Sequence, residues 1–214
     1  MIVIITHNGK KYLIDLLSDL NNFNCTLPIS IIDTGSDNDK SLFFLTEVKN
    51  IFPNLNIEVY KTPEKNREAG AIVYAMKNIK AERYYFLQDS IRILQPSIFR
   101  EIDKLLQHKT VVTISYFKSN FYDSNEQRKF VYSLFNSTDY DIGIFGSMFS
   151  ILKKDIDENY NTLPKVLSQE KWQACGMERG WAVWCKINNI KIVPLDKMIG
   201  NNLFYIKKIR CRRK

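Results

Sequence analysis

MIVIITHNGKKYLIDLLSDLNNFNCTLPISIIDTGSDND, residues 1–39, decides the fold. An unbroken apolar run, Ile2–Thr6, stops at the polar cluster Thr6-His7-Asn8-Gly9. Residues 11–22 then place Tyr12, Leu13, Leu16, Leu17 and Leu20 at helical spacing, and a second apolar run, Ile29–Asp33, stops at Asp33-Thr34-Gly35-Ser36-Asp37. Short continuous apolar runs suit strands buried on both faces, and the 3.6-residue period between them suits a helix covering one face. The stretch therefore predicts strand, helix, strand in a parallel sheet.

The alternation continues with apolar runs at Ile57–Lys61 and 84–88, and with helical spacing over 41–52, through Leu42, Leu45, Val48 and Phe52, and over 69–79. Beyond residue 95 the pattern loosens. It predicts a helix at 97–107, a strand at 110–116, a polar loop at 118–128 and strand-like runs at 129–135 and 142–152. A mixed or helical piece at 165–174, a helix at 180–188 and a short strand Lys191–Pro194 follow. In open parallel sheets the ligand crevice lies outside the carboxyl ends of the strands. The polar clusters after each strand, including the segment around Asn66-Arg67 and Gln88-Asp89-Ser90, belong at that edge.

With 214 residues, 45% hydrophobic and 25% charged, the chain fits one soluble globular domain. Cys25, Cys175, Cys185 and Cys211 show neither metal-ligand spacing nor a disulfide pattern, so reduced thiols are expected. The start at MIVIITHNGK shows no basic leader, which favours a cytoplasmic location over secretion. The net charge is +8, but residues 207–214 carry six basic residues and no acid, leaving +2 elsewhere. Basicity gathered in a tail argues against specific nucleic-acid binding and fits peripheral contact with anionic lipid headgroups, or an ordinary solvated tail.

Two carboxylates stand at strand ends. Asp33 can accept from a base N–H or a ribose hydroxyl, with Gly35 letting backbone approach closely, or it can form an Asx turn capping the helix that begins near Asn38. Asp89, inside YYFLQDSIRIL (84–94), can reach a diphosphate through Mg²⁺ or Mn²⁺, or can be a turn residue between two strands.

The donor-side segments MIVIITHNGKKYLIDLLSDL, PISIIDTGSDND and KTPEKNREAGAIVYAMKNIKAERYYFLQDSIRIL resemble the first half of family 2 glycosyltransferases of the GT-A fold. Thr6-His7-Asn8 matches the family's strand ending in Thr-x-Asn, and Asp33-Thr34-Gly35-Ser36 its Asp-x-Gly-Ser turn. The resemblance implies an α/β fold: a Rossmann-like nucleotide-binding half at 1–95, an acceptor half at 96–206, a mostly parallel mixed sheet flanked by helices, and a basic tail at 207–214. It implies transfer of a sugar from a nucleoside-diphosphate sugar, UDP- or dTDP-linked, to a hydroxyl of a glycan, lipid or protein acceptor.

GMERGWAVWCKINNIKIVP is similar to the family's Glu-Asp segment, which makes Glu178 the candidate general base; the other reading is a helix N-terminal Glu favoured by the macrodipole. DIGIFGSMFSILKKD resembles the acceptor-side strand, where Gly143, Gly146 and Ser147 would let a sugar lie close to backbone. The expected donor site comprises Thr6, His7, Asn8, Asp33, Arg67, Gln88, Asp89 and Ser90, with His7 stacking or packing near the base, and Arg67 either pairing with phosphate oxygens or standing as a solvated surface side chain. Trp172, Trp181 and Trp184 could stack on sugar rings, but aromatic residues at such positions are more often core, and none is assigned to the site.

The chain departs from the family at the metal motif. Gln88-Asp89-Ser90 keeps one acid of the usual two, which implies Mn²⁺ or Mg²⁺ at Asp89 with weak dependence, or a degenerate domain that binds nucleotide-sugar without turnover. A nucleotidyltransferase is disfavoured because the loop after the first strand has a single Gly.

Overall fold

The computed structural model describes residues 1–62, 67–119, 124–165, 170–196 and 203–209. Four strands, β1 (Ile2–Thr6), β2 (Ile29–Asp33), β3 (Ile57–Lys61) and β4 (Arg83–Gln88), alternate with helices α1 (Lys10–Asn22), α2 (Asp39–Ile51) and α3 (Arg67–Asn78). The later elements are β5 (Ile91–Ile93), α4 (Ile98–Leu105), β6 (Thr110–Thr113), β7 (Tyr116–Lys118), α5 (Asn125–Phe135), β8 (Ile142–Ile144), β9 (Phe149–Leu152), α6 (Lys153–Glu158), α7 (Lys171–Ile187), β10 (Lys191–Pro194) and β11 (Ile206–Lys208). Seven strands form one sheet in the order β10-β6-β9-β4-β1-β2-β3. Among the described strands of this sheet β9 alone runs antiparallel to its neighbours, β4 and β6. This is the α/β architecture expected.

Alternation along β1 sorts the core into two layers. Ile2 and Ile4 pack with Leu13, Leu16, Leu17 and Leu20 of α1 and Phe44 and Val48 of α2. Val3 and Ile5 face the other way, onto Ala71, Ile72, Ala75 and Met76 of α3 and Trp181 and Trp184 of α7. Trp181 and Trp184 are thus core, as expected, while Trp172 is exposed and meets Phe130 edge-on. A buried carboxylate, Asp19 of α1, accepts from Arg92 Nε at 2.7 Å and from Ile93 N at 2.9 Å, which fixes β5 against α1. Among the described residues no helix is long and apolar enough to cross a membrane.

The second half corrects several expectations. The run 129–135, expected as a strand, lies in α5: Ser124 Oγ caps it by accepting from Gln127 N at 3.2 Å, and Asn136 ends it in the left-handed region at φ 51°. The stretch 110–116 divides between β6 and β7, and 142–152 is broken by a 3-10 turn, Phe145–Ser147, in which Gly146 has φ 64°. The helix expected at 180–188 begins at Lys171, where Glu170 and Gln173 form a capping box. Gly176 and Gly180 look like breakers in sequence. In the fold a Cβ on Gly176 would stand 3.1 Å from Phe130 Cδ1, and one on Gly180 3.2 Å from Phe135 Cε2, so both let α5 approach α7 closely. Residues 120–123 of the expected loop and 166–169 of the expected mixed piece lie outside the described residues.

Lys207 and Lys208, expected at the start of a basic tail, lie in β11, which pairs antiparallel with β5 in the register Lys208↔Ile91. Ladder hydrogen bonds hold these two lysines whatever their charge. Residues 210–214 lie outside the described residues.

Candidate active site

The expected nucleoside end lies where β1 and β2 finish side by side, with Thr6 opposite Asp33. Asp33 is buried, and its Oδ1 accepts from Ser36 N at 3.0 Å and Ser36 Oγ at 2.6 Å. The Asx turn therefore exists, with Gly35 at φ 81° completing it. Asp33 does not cap α2, because Asn38 Oδ1 does so by accepting from Ser41 N at 3.2 Å. Asn8, at φ 53°, laces the two loops together. Its backbone N donates to Ser36 Oγ at 2.8 Å and its Nδ2 to Asp37 Oδ1 at 2.7 Å, while its Oδ1 accepts from the backbone N of Asp37 and of Asn38 at 3.1 Å each. His7 is half-buried beside them, and its Nδ1 has no hydrogen-bond partner among the described residues.

Asp89 prolongs β4 along β1, its backbone N donating to Ile5 O at 3.1 Å. Its Oδ2 accepts from Thr6 Oγ1 at 2.7 Å. Burial is the main reason its pKa is pushed up to about 6, offset in part by the Thr6 bond, by Lys208 and by the His7 backbone. Gly9 lies against this pair: a Cβ there would fall 1.7 Å from Asp89 Oδ2 and 2.7 Å from Thr6 Oγ1. Gly9→Ala therefore forces Asp89 off Thr6. We expect a stability loss of about 1–3 kcal/mol, typical of overpacking. Thermal unfolding of Gly9→Ala in the Asp89→Ala background, where most of that loss should vanish, checks the cause.

Gln88 and Ser90 flank Asp89 from opposite sides. Gln88 Nε2 donates to Glu68 Oε1 of α3 at 3.3 Å, and Gln88 Oε1 accepts from Lys208 Nζ of β11. The Ser90 carbonyl accepts from Ile209 N at 2.9 Å. Arg67 opens α3 at φ 46°, directly after residues 63–66, which lie outside the described residues.

Glu178 reaches the same edge from α7. Its Oε1 accepts from Gly146 N at 2.9 Å, and burial pushes its pKa up to about 7, against the lowering effects of that bond, Lys208 and Arg179. Glu178 is the eighth residue of α7, beyond the first turn where the macrodipole acts, so the helix-terminus reading of this residue does not hold. Gly146 and Ser147 are buried, and a Cβ on Gly146 would lie 3.2 Å from Gln88 Oε1, so the turn expected on the acceptor side abuts the 88–90 segment expected on the donor side. Gly143 differs. A Cβ there would stand 2.1 Å from Phe117 Cζ, so its small size makes room for that ring and serves packing.

Lys208 and Glu68 escaped the sequence reading. Lys208 sits in a basic run that looks like a solvated tail, and no local pattern marks a lysine whose partner is 120 residues away. A divalent ion at Asp89 finds a poor donor set: one carboxylate, whose Oδ2 is held by Thr6, and a Gln88 carbonyl oxygen held by an ammonium. Among the described residues the group of three side chains close enough to share an ion is His108, Asp155 and Glu158. His108 precedes β6 and the two acids lie in α6 after the antiparallel β9, which puts this group at the opposite edge of the sheet.

The fold has relatives of known structure. S. aureus TarS 1–349 in complex with UDP-GlcNAc is 16% identical with a TM-score of 0.58, covering 100% of this chain and 59% of that one. Mannosyltransferase PcManGT from Pyrobaculum calidifontis, in complex with GDP-Man and Mn²⁺, is 14% identical with a TM-score of 0.52, covering 73% and 45%. GalNAc-T7 with UDP, GalNAc and Mn²⁺ is 13% identical with a TM-score of 0.50, covering 83% and 39%. The chain thus spans well under two thirds of each relative's length. No curated protein sequence matches it significantly. Residues 1–160 match the model of glycosyl transferase family 2, three quarters of the chain, and the protein belongs to that family.

Proposed function

We propose that this domain transfers a sugar from a UDP- or dTDP-linked donor to a hydroxyl group of a glycan, lipid or protein acceptor. The observation that carries the reading is the convergence of Asp33, Asp89 and Glu178 on one sheet edge, with Glu178 held on the backbone of the turn next to Gln88. The Asp33 turn receives the nucleoside, and the 88–90 segment lies where the diphosphate follows. Glu178 takes the proton of the acceptor hydroxyl as that oxygen attacks the anomeric carbon; the bond from that carbon to the diphosphate oxygen breaks, and the diphosphate leaves with the electron pair. A carboxylate whose pKa is near neutrality suits this task.

Mn²⁺ or Mg²⁺ at Asp89 would neutralise the leaving diphosphate, and the poor donor set supports only weak dependence on it. Thr6, His7, Asn8, Arg67 and Ser90 remain donor-side residues in this proposal, and Gly146 and Ser147 acceptor-side ones. A cytoplasmic location with peripheral membrane contact through the basic residues Arg210, Arg212, Arg213 and Lys214 fits the same reading.

The test is a thermal-shift screen of UDP-, dTDP- and GDP-sugars. A donor at about 100 times its dissociation constant adds about 2.7 kcal/mol, which raises Tm by roughly 5–10 °C for a chain of this size. No shift with any of them sinks the proposal. Because the motif keeps a single acid, a nucleotide-sugar-binding domain without turnover is the second reading, favoured by a shift without transfer or donor hydrolysis.

A further inference from the structure

We infer that Lys208 is the cation that receives the donor diphosphate in this protein, standing in for a divalent ion. The inference rests on the donor reading above. Position comes first: β11 crosses beside β5, and Ile209 N bonds to Ser90 O, so the strand is tied to the motif itself. Within β11 the side chains alternate: Ile206 is buried, Lys207 is exposed, and Lys208 turns back into the site.

Its Nζ donates to Gln88 Oε1 and lies 5.9 Å from the centre of the Phe145 ring, in the turn that carries Gly146. An ammonium has three donors, and the Gln88 bond uses one. The charges of Glu178, Glu68 and Asp89 act on it, and with none of them does it form a direct ion pair among the described residues. Burial pulls the pKa of this ammonium below its ordinary value, and the charges of those acids offset part of that loss. The geometry thus sets the Lys208 ammonium, donating to Gln88 Oε1, beside Asp89 where the motif keeps a single acid. The loss of a metal ligand and the gain of a fixed cation account for each other.

A merely structural lysine, present to neutralise three acids, makes a different prediction. Calorimetry with UDP, dTDP and GDP, in EDTA and again in Mn²⁺, separates the two, using the whole chain as wild type, Lys208→Met and Lys208→Arg. We expect the wild type to bind one of the diphosphates nearly as tightly in EDTA as in Mn²⁺, in line with a weak dependence on the metal. Lys208→Met should weaken that diphosphate roughly 10- to 100-fold, the usual worth of a hydrogen bond to a charged group, and Lys208→Arg should restore most of it. Affinity for the matching nucleoside, followed by ligand-observed NMR, should stay unchanged in the Met variant, which also shows that the variant folds. Wild-type binding abolished by EDTA, or a Met variant that binds diphosphate like wild type, overturns the inference while leaving the donor reading intact. Failure of the wild type to bind any of the three, with or without Mn²⁺, overturns the donor reading and the inference with it.

Discussion

Glu178→Gln lowers sugar transfer by about 10²- to 10⁴-fold, the range general-base catalysis supplies, and leaves donor binding nearly unchanged. Gln keeps an oxygen for Gly146 N, so the bond that seats the side chain survives and only the proton acceptor is lost. The wild-type pH profile carries the same information. A base works only when ionised, and burial has moved this carboxyl from 4.5 up to about 7. The rate should therefore climb about tenfold per pH unit below neutrality and level off above it. Lys208 holds that midpoint down, so removing its charge should move the rise to higher pH. A Glu178→Gln enzyme at wild-type speed would end the assignment. So would a rate that ignores pH between 5 and 8.

The first half of the chain was readable because its elements are local. The runs of β1 and β2, the leucines of α1 and the Asp33 turn each declare themselves within about a dozen residues, and the structure reproduces Ile2–Thr6, Ile29–Asp33 and Ile57–Lys61 as expected. Elsewhere the deciding contacts are distant. Phe130 and Val131 gave 129–135 the look of a strand, yet they are the buried face of α5 laid on α7. That surface accepts a helix because Gly176 and Gly180 lower its profile, a fact visible only once the two helices meet. Asn8 illustrates a different limit: its motif position was recognisable, but not that both ends of its amide lace the β1 and β2 loops together. Lys208 shows the widest gap, since composition assigns it to a tail and only the β5–β11 pairing turns it inward.

Trp181→Ala should have the largest effect on stability, and the site should register it. Trp181 is fully buried, with its ring centre 5.6 Å from Phe149 of β9 and 6.2 Å from Trp184. It lies three residues after Glu178 on α7, so the same packing that joins α7 to the sheet also sets Glu178 against Gly146. Truncating such a side chain costs about 3–5 kcal/mol, out of a total that is typically only 5–15 kcal/mol. Tm should fall on the order of 10 °C in a thermal melt. Trp181→Phe separates packing from polarity, because the indole N–H has no partner among the described residues. Phe keeps a ring against Phe149 and removes that orphaned donor, so its loss should stay below about 1.5 kcal/mol. Equal losses in the two variants would refute the packing account. The Ala variant carries one further signature. Water admitted beside α7 relieves the burial that raises the Glu178 pKa, so the midpoint of the pH–rate profile should move from about 7 back toward 4.5.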